Sequence, residues 1–230
     1  MTKINLNCFI LWYFLSVGVL AEDVIRYVVS ETHPDPKQSY FVDLLKLALE
    51  ESRSKYGNYQ LKPVVVEMAQ ARTSIMLERN EVIDLTWRMT SKKQENKLQA
   101  IHFPLLKGMM GYRIFIIRKE DQNKFNKNIT KQQLQEIPVG QGYNWPDSDI
   151  LTYNKFMVVK GYDIYLLTML SKKRFDYFPR AIHEPWLEVA GKDEFIVEKN
   201  IMLKYPAPIF FFVNKENKRL HQRLLFGLQQ

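Results

Sequence analysis

Cysteine is nearly absent from this chain of 230 residues: Cys8 is the only one, and it lies in a segment that we expect to be removed. The remaining chain therefore excludes thiol catalysis, thiolate metal sites and redox switching. A domain of this length buries an adequate core without disulfides. Histidine is also scarce, and the four side chains lie far apart without metal-ligand spacing, at His33, His102, His183 and His221. The sequence predicts neither a metal nor a cofactor.

Long uncharged apolar runs are also missing after residue 21, which argues against a later transmembrane span. Before that point, Lys3 gives a positive start, Cys8 to Leu20 are mostly apolar, and Ala21 precedes the acidic Glu22. This pattern predicts a secretory signal peptide at residues 1–21. An uncleaved anchor is the alternative, but an apolar stretch of about 13 residues is short for a bilayer, which needs roughly 20. We expect an exported, periplasmic domain that begins near Glu22.

Negative charge is in deficit, because the formal net charge is +8 at pH 7. Such a balance can indicate a nucleic-acid partner or an anionic surface. Here the lysines and arginines are scattered along the chain rather than concentrated in one stripe. A solvated basic surface explains this distribution better, so we expect no nucleic acid among the partners.

Strand and helix patterns alternate in the first third of the chain. The clearest is an amphipathic helix at residues 39–56, with apolar side chains on one face and charges opposite. A β-α-β-α-β series of this kind predicts a mainly parallel sheet with helices on both faces. Its elements are a strand at 24–30, a helix at 39–56, a strand at 61–68, a helix at 69–78 and a strand at 82–87.

Two very apolar strands, Gly111 to Arg118 and Lys204 to Asn214, flank a second α/β series. We interpret them as crossing strands that leave the first unit and return to it. This organisation predicts two lobes with a cleft between them, the kind of place where pockets form. We assign residues 22–115 and 205–230 to lobe one and residues 116–204 to lobe two.

The segment from Asp84 to Arg118 resembles the family 3 extracellular solute-binding proteins. In that family a strand ends in a Thr/Ser-rich turn, followed by (S/T)-P-E-R, a Phe/Pro-rich stretch and an apolar strand that ends in Arg-Lys. A subgroup also carries the motifs G-Q-G-x-x-W-P-D, R-F-D-Y-F-P-R and Y-P-A-P, all present here, and the similarity covers residues 24–230. The resemblance implies an α/β, two-lobed type II periplasmic-binding-protein fold. Each lobe would be a mixed, mainly parallel sheet flanked by helices.

The same resemblance implies that the family's amino-acid site is largely missing. Amino-acid binders hold the ligand carboxylate with the Arg of (S/T)-P-E-R, and this chain has Gln94 there, with Lys93 beside it. The anion-binding Gly-Thr-Thr turn corresponds to residues 142–144, and the ammonium-binding Asp region holds Arg180 and Ala181. A standard α-amino acid is therefore not the expected ligand.

The candidate ligand-binding residues lie at strand ends and in the turns expected to line the cleft. Two have a competing structural interpretation: Trp87 packing under the inter-lobe surface, and Arg180 forming a salt bridge to Glu184 or Glu188. The candidates are Trp87, Thr90, Ser91, Gln94, Tyr143, Asn144, Trp145, Arg180 and Glu184.

The sequence thus predicts a periplasmic, non-enzymatic and monomeric protein that captures a small polar or anionic solute for transport or sensing. Its closed form would dock on a membrane permease or a sensor. One alternative is a dehydratase-like enzyme on the same fold, for which Glu184 is the candidate carboxylate. Another is an orphan sensory module. Relatives usually continue past the helix at 217–230, so we also expect the chain to be short for its family.

Overall fold

The structure, a computed structural model, describes residues 22–30, 38–65 and 70–230. The predicted signal peptide at 1–21 lies outside the described residues. Every strand within these residues belongs to one of two sheets of mixed direction, with helices packed on their faces. Within the described residues, no helix has the length and apolar character needed to cross a membrane.

The first sheet combines strands from the beginning of the chain with one from its end. Its strand order is β2-β1-β3-β11-β4, in which β1 runs parallel to both neighbours and β11 runs antiparallel to both of its own. All five side chains of β11, the sequence IFFFV, are buried, so this strand lies inside the sheet's core. The strands are β1 (Asp23–Val29), β2 (Tyr59–Val65), β3 (Leu85–Met89), β4 (Gln99–Ile101) and β11 (Ile209–Val213).

The second sheet takes the middle of the chain, in the order β10-β5-β8-β6-β7, with β9 paired to β5. Strand β6 is parallel to β7 and β8, whereas β5 is antiparallel to all its partners. The strands are β5 (Tyr112–Arg118), β6 (Val139–Gly142), β7 (Val158–Gly161), β8 (Tyr177–Ala181), β9 (Phe195–Val197) and β10 (Leu203–Lys204).

The chain changes sheets before Tyr112 and again after Lys204. The lobe boundary predicted at residues 115/116 falls inside β5, all of which lies in the second sheet. The division into lobes at stated residues stays a prediction.

The helices cover the sheets as the amphipathic patterns require. The predicted helix at 39–56 is two helices, because the chain turns at Ser52, whose buried hydroxyl donates to the Leu49 carbonyl at 2.8 Å. The helices are α1 (Gln38–Glu51), α2 (Arg53–Tyr56), α3 (Gln70–Glu78), α4 (Lys92–Glu95), α5 (Lys131–Glu136), α6 (Pro146–Tyr153), α7 (Leu166–Ser171), α8 (Pro185–Glu188) and α9 (Lys218–Leu228), with 3-10 turns at Met109–Gly111, Lys119–Lys124 and Asp163–Tyr165.

Candidate functional site

A cavity of about 650 Å³ is lined by residues of both sheets and their helices. The first lobe contributes the end of β3, part of α3 and the turn into α4. The second contributes the end of β6, the turn into α6, and the end of β8 with the loop that follows. A volume of this size is typical of small-molecule sites, which span roughly 300 to 1,000 Å³.

All the predicted site residues except Thr90 line this cavity. The Thr90 hydroxyl instead donates to Glu95 Oε1 at 2.5 Å, within the turn that leads into α4. Ser91 is the N-cap of α4, where its hydroxyl oxygen accepts a hydrogen bond from the Gln94 backbone N–H at 3.2 Å. The structure therefore brings the predicted candidates together from three separate segments of the chain, at 87–94, 143–145 and 180–184.

Trp87 both packs on the core of the first lobe and lines the cavity, so its two predicted roles are compatible. Its ring stacks on Phe41 of α1, with centroids 5.5 Å apart, and meets Phe211 of β11 edge-on at 6.4 Å. It is also part of the cavity lining. One face of the indole thus belongs to the core of the first lobe, and this packing fixes the ring as a rigid element of the cavity wall.

The turn after β6 carries the aromatic side chains of the second lobe. Tyr143 is exposed and stacks on Tyr162, with ring centroids 5.7 Å apart. Trp145 stacks on Phe178 of β8 at 6.2 Å and also lies under the Arg180 guanidinium, 4.9 Å from it. Asn144, between the two, is exposed at the cavity edge. This wall offers flat apolar surface together with one amide.

Arg180 forms the salt bridges that were its alternative interpretation. Its Nε and Nη2 donate to the carboxylate of Glu188 at 2.6 to 3.0 Å, and Nη2 lies 3.3 Å from Glu184 Oε2. Burial acts to lower the pKa of Arg180, but attraction to Glu184 and Glu188 outweighs it, so the pKa is raised. Its charge is balanced within the protein, so its role as a free anion anchor is not favoured.

Arg113 of β5 is a cavity residue that the sequence analysis missed. Its side chain is 2% exposed, and Nη2 lies 2.7 Å from Asp147 Oδ1. Nε donates to the Tyr205 hydroxyl at 3.1 Å, and that hydroxyl in turn donates to Asp147 at 2.5 Å. Nη2 also approaches Met89 Sδ at 3.6 Å. Arg113 thus links the end of β3 in the first sheet to α6 of the second at the base of the cavity.

Burial, together with the charge of Asp147, raises the pKa of Tyr205, so its hydroxyl stays protonated and serves as a donor. An arginine inside the apolar run GYRIFIIR is the only sequence signal that points to this network.

Arg88 of β3 is the second residue missed. Its guanidinium donates to three hydroxyls: Ser74 through Nη1, Thr73 through Nη2 at 2.7 Å, and Thr86 through Nη2 at 3.2 Å. Burial lowers the pKa of Arg88 to about 10, which still leaves the group charged at neutral pH. No pattern in the sequence singled it out, because the hydroxyls on α3 lie more than ten residues away.

The chain was compared with family models, curated protein sequences and solved structures, and only the solved structures gave matches. No family model and no curated protein sequence matches the chain. Among solved structures, a Gly52Ala mutant of the arginine-bound arginine-binding protein of T. maritima is 15% identical, with a TM-score of 0.63, and the match covers 90% of this chain and 94% of that one.

A Salmonella typhimurium periplasmic binding protein with high arginine specificity is 13% identical at a TM-score of 0.63, covering 90% and 92% of the two chains. The periplasmic VFT2 domain of Bordetella pertussis BvgS is 14% identical at a TM-score of 0.67, covering 90% and 87%. The chain therefore has the two-lobed type II periplasmic-binding-protein fold, and the fold class predicted from the sequence is confirmed.

Proposed function

We propose that this protein captures a small anionic or polar solute in the cavity between its lobes, as a periplasmic binding protein rather than an enzyme. The observation that carries the proposal is the 650 Å³ cavity, which is lined by polar and aromatic side chains from both lobes. The similar structures, which include arginine-binding proteins and the periplasmic VFT2 domain of BvgS, support a binding role.

The acidic side chains of the cavity argue against a standard α-amino acid. Recognition of an ammonium group needs a carboxylate acceptor. Asp147 is paired with Arg113, and Glu78 with Lys97 at 3.0 Å. Glu184 lies beside Arg180, and Asp149 is 3.9 Å from Lys160, with a side chain 84% exposed. The carboxylates in the described cavity wall thus already face cations of the protein.

Glu184 does not favour the alternative of a dehydratase-like enzyme. Its Oε2 accepts a hydrogen bond from the Ala181 backbone N–H at 2.9 Å and lies within 4 Å of both Arg180 and Arg113. A general base must be within hydrogen-bond reach of a substrate proton. A carboxylate held this way serves the structure of the β8–α8 turn.

Solute capture can serve either transport or sensing. In both cases the protein partner would bind outside the cavity. We propose that the closed form docks on a membrane permease or on a sensor. The similarity to the periplasmic VFT2 domain of BvgS favours neither use over the other, because the shared feature is the fold.

A thermal-shift screen tests the proposed function. The purified protein is heated alone and with L-amino acids, polyamines, sugars and aromatic or aliphatic carboxylates. A solute that binds only the native state at 100 times its Kd stabilises that state by about 2.7 kcal/mol, which raises the melting temperature by a few degrees. The matched variant is Asn144→Trp, which adds bulk at the exposed cavity edge. We expect an anionic or polar solute to stabilise the wild-type chain and this shift to be lost in the variant.

Two results would contradict the proposal. Strong stabilisation by a common L-amino acid would overturn the proposed ligand class. No shift with any solute would overturn capture in this cavity.

A further inference from the structure

The arginines that line the cavity are each engaged by other groups of the protein. Arg113 lies 2.7 Å from Asp147 Oδ1, and Arg180 lies 2.6 Å from Glu188 Oε1. Arg88 donates to three hydroxyls and has a further interaction besides. A ligand carboxylate that bound one of these guanidinium groups would have to displace a partner that the protein already supplies. The fold itself therefore uses these charges.

The lysines of the cavity wall are exposed to solvent. Lys93 is exposed and has no ion pair in the described part of the chain. Lys97 pairs with Glu78 at 3.0 Å, and Lys160 lies 3.9 Å from Asp149. A charge that water solvates and salt screens contributes little to affinity. These lysines therefore supply a weak, salt-sensitive attraction rather than a fixed anion site.

Neutral hydrogen-bonding groups of the wall, in contrast, still have capacity for a ligand. Four of them have no hydrogen-bond partner among residues 22–30, 38–65 and 70–230: the indole N–H groups of Trp87 and Trp145, the Tyr143 hydroxyl and the Asn144 amide. Tyr143 and Asn144 are exposed, and neither indole nitrogen is among the buried unpartnered atoms of those residues. A ligand that covers these groups must supply partners for them, because a buried donor left unpaired costs free energy.

Each lobe also contributes a ring that is supported from behind by a second ring. In the second lobe Tyr143 stacks on Tyr162 with centroids 5.7 Å apart, and 57% of its surface is exposed. In the first lobe Trp87 stacks on Phe41 at 5.5 Å. Both supported rings line the cavity. The apolar C–H face of a saturated ring packs on such surfaces by dispersion and by burial of apolar area.

We propose that the solute is an uncharged, ring-shaped polyol of about the size of a hexose. Its faces pack against Tyr143 and Trp87 from the two lobes, and its hydroxyls pair with the neutral groups of the wall. A hydroxyl both donates and accepts, so it suits an indole N–H and an amide alike. This inference rests on the proposed function and narrows its ligand class to neutral solutes.

Isothermal titration calorimetry with sugars that differ only in charge tests the ligand class. The probes are D-glucose, D-galactose and D-mannose, each with its anionic uronate and its 2-amino derivative in the protonated form. The three members of a set share one ring, so a difference in affinity reports the charge. For at least one hexose we expect binding at least about tenfold tighter than that of either charged derivative, because the added charge finds no uncommitted partner of opposite sign in the wall.

Variants of Tyr143 test the ring contact. Tyr143→Ala should weaken binding of that hexose about tenfold, whereas Tyr143→Phe, which keeps the ring, should change it less than about threefold. Asn144→Ala should weaken it about three- to tenfold through the lost hydrogen bond. The matched control is Tyr153→Ala, because Tyr153 is 87% exposed in the same lobe but does not line the cavity; its affinity should stay within about twofold of the wild type. If Tyr143→Ala fails to fold, judged by circular dichroism, Tyr143→Leu carries the test.

The outcomes separate this inference from the function on which it rests. A uronate or an amino sugar that binds as tightly as its neutral parent would overturn the neutral class while solute capture stands. Unchanged affinity in the folded Tyr143→Ala or Tyr143→Leu protein would overturn the ring contact. Stabilisation of the protein by another class of solute, with no binding of any neutral hexose, would overturn the inference and leave capture intact. A wild-type chain that binds nothing in either assay would contradict solute capture itself.

Discussion

At position 142 a side chain would occupy space that belongs to Trp145. A Cβ built on Gly142 lies 2.3 Å from the indole ring, well inside van der Waals contact. The absence of a side chain is what allows the ring to fold back over the end of β6, stack on Phe178 and face the cavity. In the G-Q-G-x-x-W-P-D motif, the second glycine is therefore needed to make room for the tryptophan ring, which forms part of the cavity wall in the second lobe.

Gly142→Ala should accordingly displace the Trp145 ring. We expect a loss of about 1–3 kcal/mol in the free energy of unfolding, typical of overpacking, and a changed near-ultraviolet circular dichroism spectrum. Asn144→Ala in the same turn is the control, because its side chain is exposed, and should change stability by less than about 0.5 kcal/mol. Equal stability of Gly142→Ala and the wild type would show that the ring has room to move.

Among single residues, those that the sequence identified correctly lie at strand ends or in turns with a recognisable motif. Tyr143, Asn144 and Trp145 follow β6 directly, so their placement in the cavity could be anticipated. Arg88 and Arg113 could not, because their roles depend on partners distant in sequence, such as Ser74 and Asp147. Periodicity reports which face of an element is apolar, but it does not report which polar groups meet across elements.

At the scale of elements, the C-terminal helix α9 is tied to the start of the first sheet by one arginine. Arg223 is fully buried and pairs with Asp23 of β1 at 2.5 Å. It also donates to the Ser52 hydroxyl and to the carbonyls of Gly57 and Asn58. A buried charge with this many partners leaves several polar groups unsatisfied when it is removed.

We predict that Arg223→Met lowers the free energy of unfolding by on the order of 3 kcal/mol, measured by urea denaturation. The control is Arg219→Met on the same helix. Arg219 pairs with the same Asp23 but is 49% exposed, so its replacement should cost less than about 1 kcal/mol. Similar losses in the two variants would contradict a special role for the buried arginine.

The turn between β3 and α4 contains an acid-sensitive contact. A hydrogen bond from Thr90, together with one from His102, lowers the pKa of Glu95 below its usual value of 4.5. A carboxylate with a depressed folded-state pKa contributes stability above the unfolded pKa and loses it as the pH falls through the folded value. The contact that draws Thr90 away from the cavity is thus also a source of pH dependence.

Glu95→Gln should therefore be less stable than the wild type at neutral pH, with the difference shrinking as the pH falls below about 4.5. Denaturation midpoints of both proteins between pH 3 and 7 measure this. A difference that stays constant over the whole range would show that ionisation of Glu95 does not contribute.

Element prediction succeeded where apolar runs were long. Strands β5 and β11 are mostly buried apolar segments and were identified from that property. The strand predicted at 204–214 was too long, because Lys204 belongs to β10 of the second sheet and β11 of the first sheet begins only at Ile209. Strands β4 and β9 were missed because three residues are too few to show a period. The third strand begins at Leu85 rather than at Val82, because the backbone at Asn80 and Val82 adopts positive φ values of 56° and 59°.

At the scale of the whole molecule, two mixed sheets face one cavity, and the chain passes between them twice. The two-lobed arrangement was predictable, because two α/β series flanked by apolar crossing strands have few other arrangements. The charge balance of the cavity was not predictable, since it depends on which acids pair with which bases. Asp147 and Glu184, for example, face arginines of the protein that lie far from them in sequence or across a turn.

We predict that the solute contacts both lobes only in a closed form, so that binding shifts the population towards closure. Small-angle X-ray scattering of the protein, alone and saturated with the solute that stabilises it, measures this shift directly. We expect a smaller radius of gyration in the saturated sample. An unchanged radius of gyration, with the solute shown to be bound, would contradict capture by closure of the two lobes.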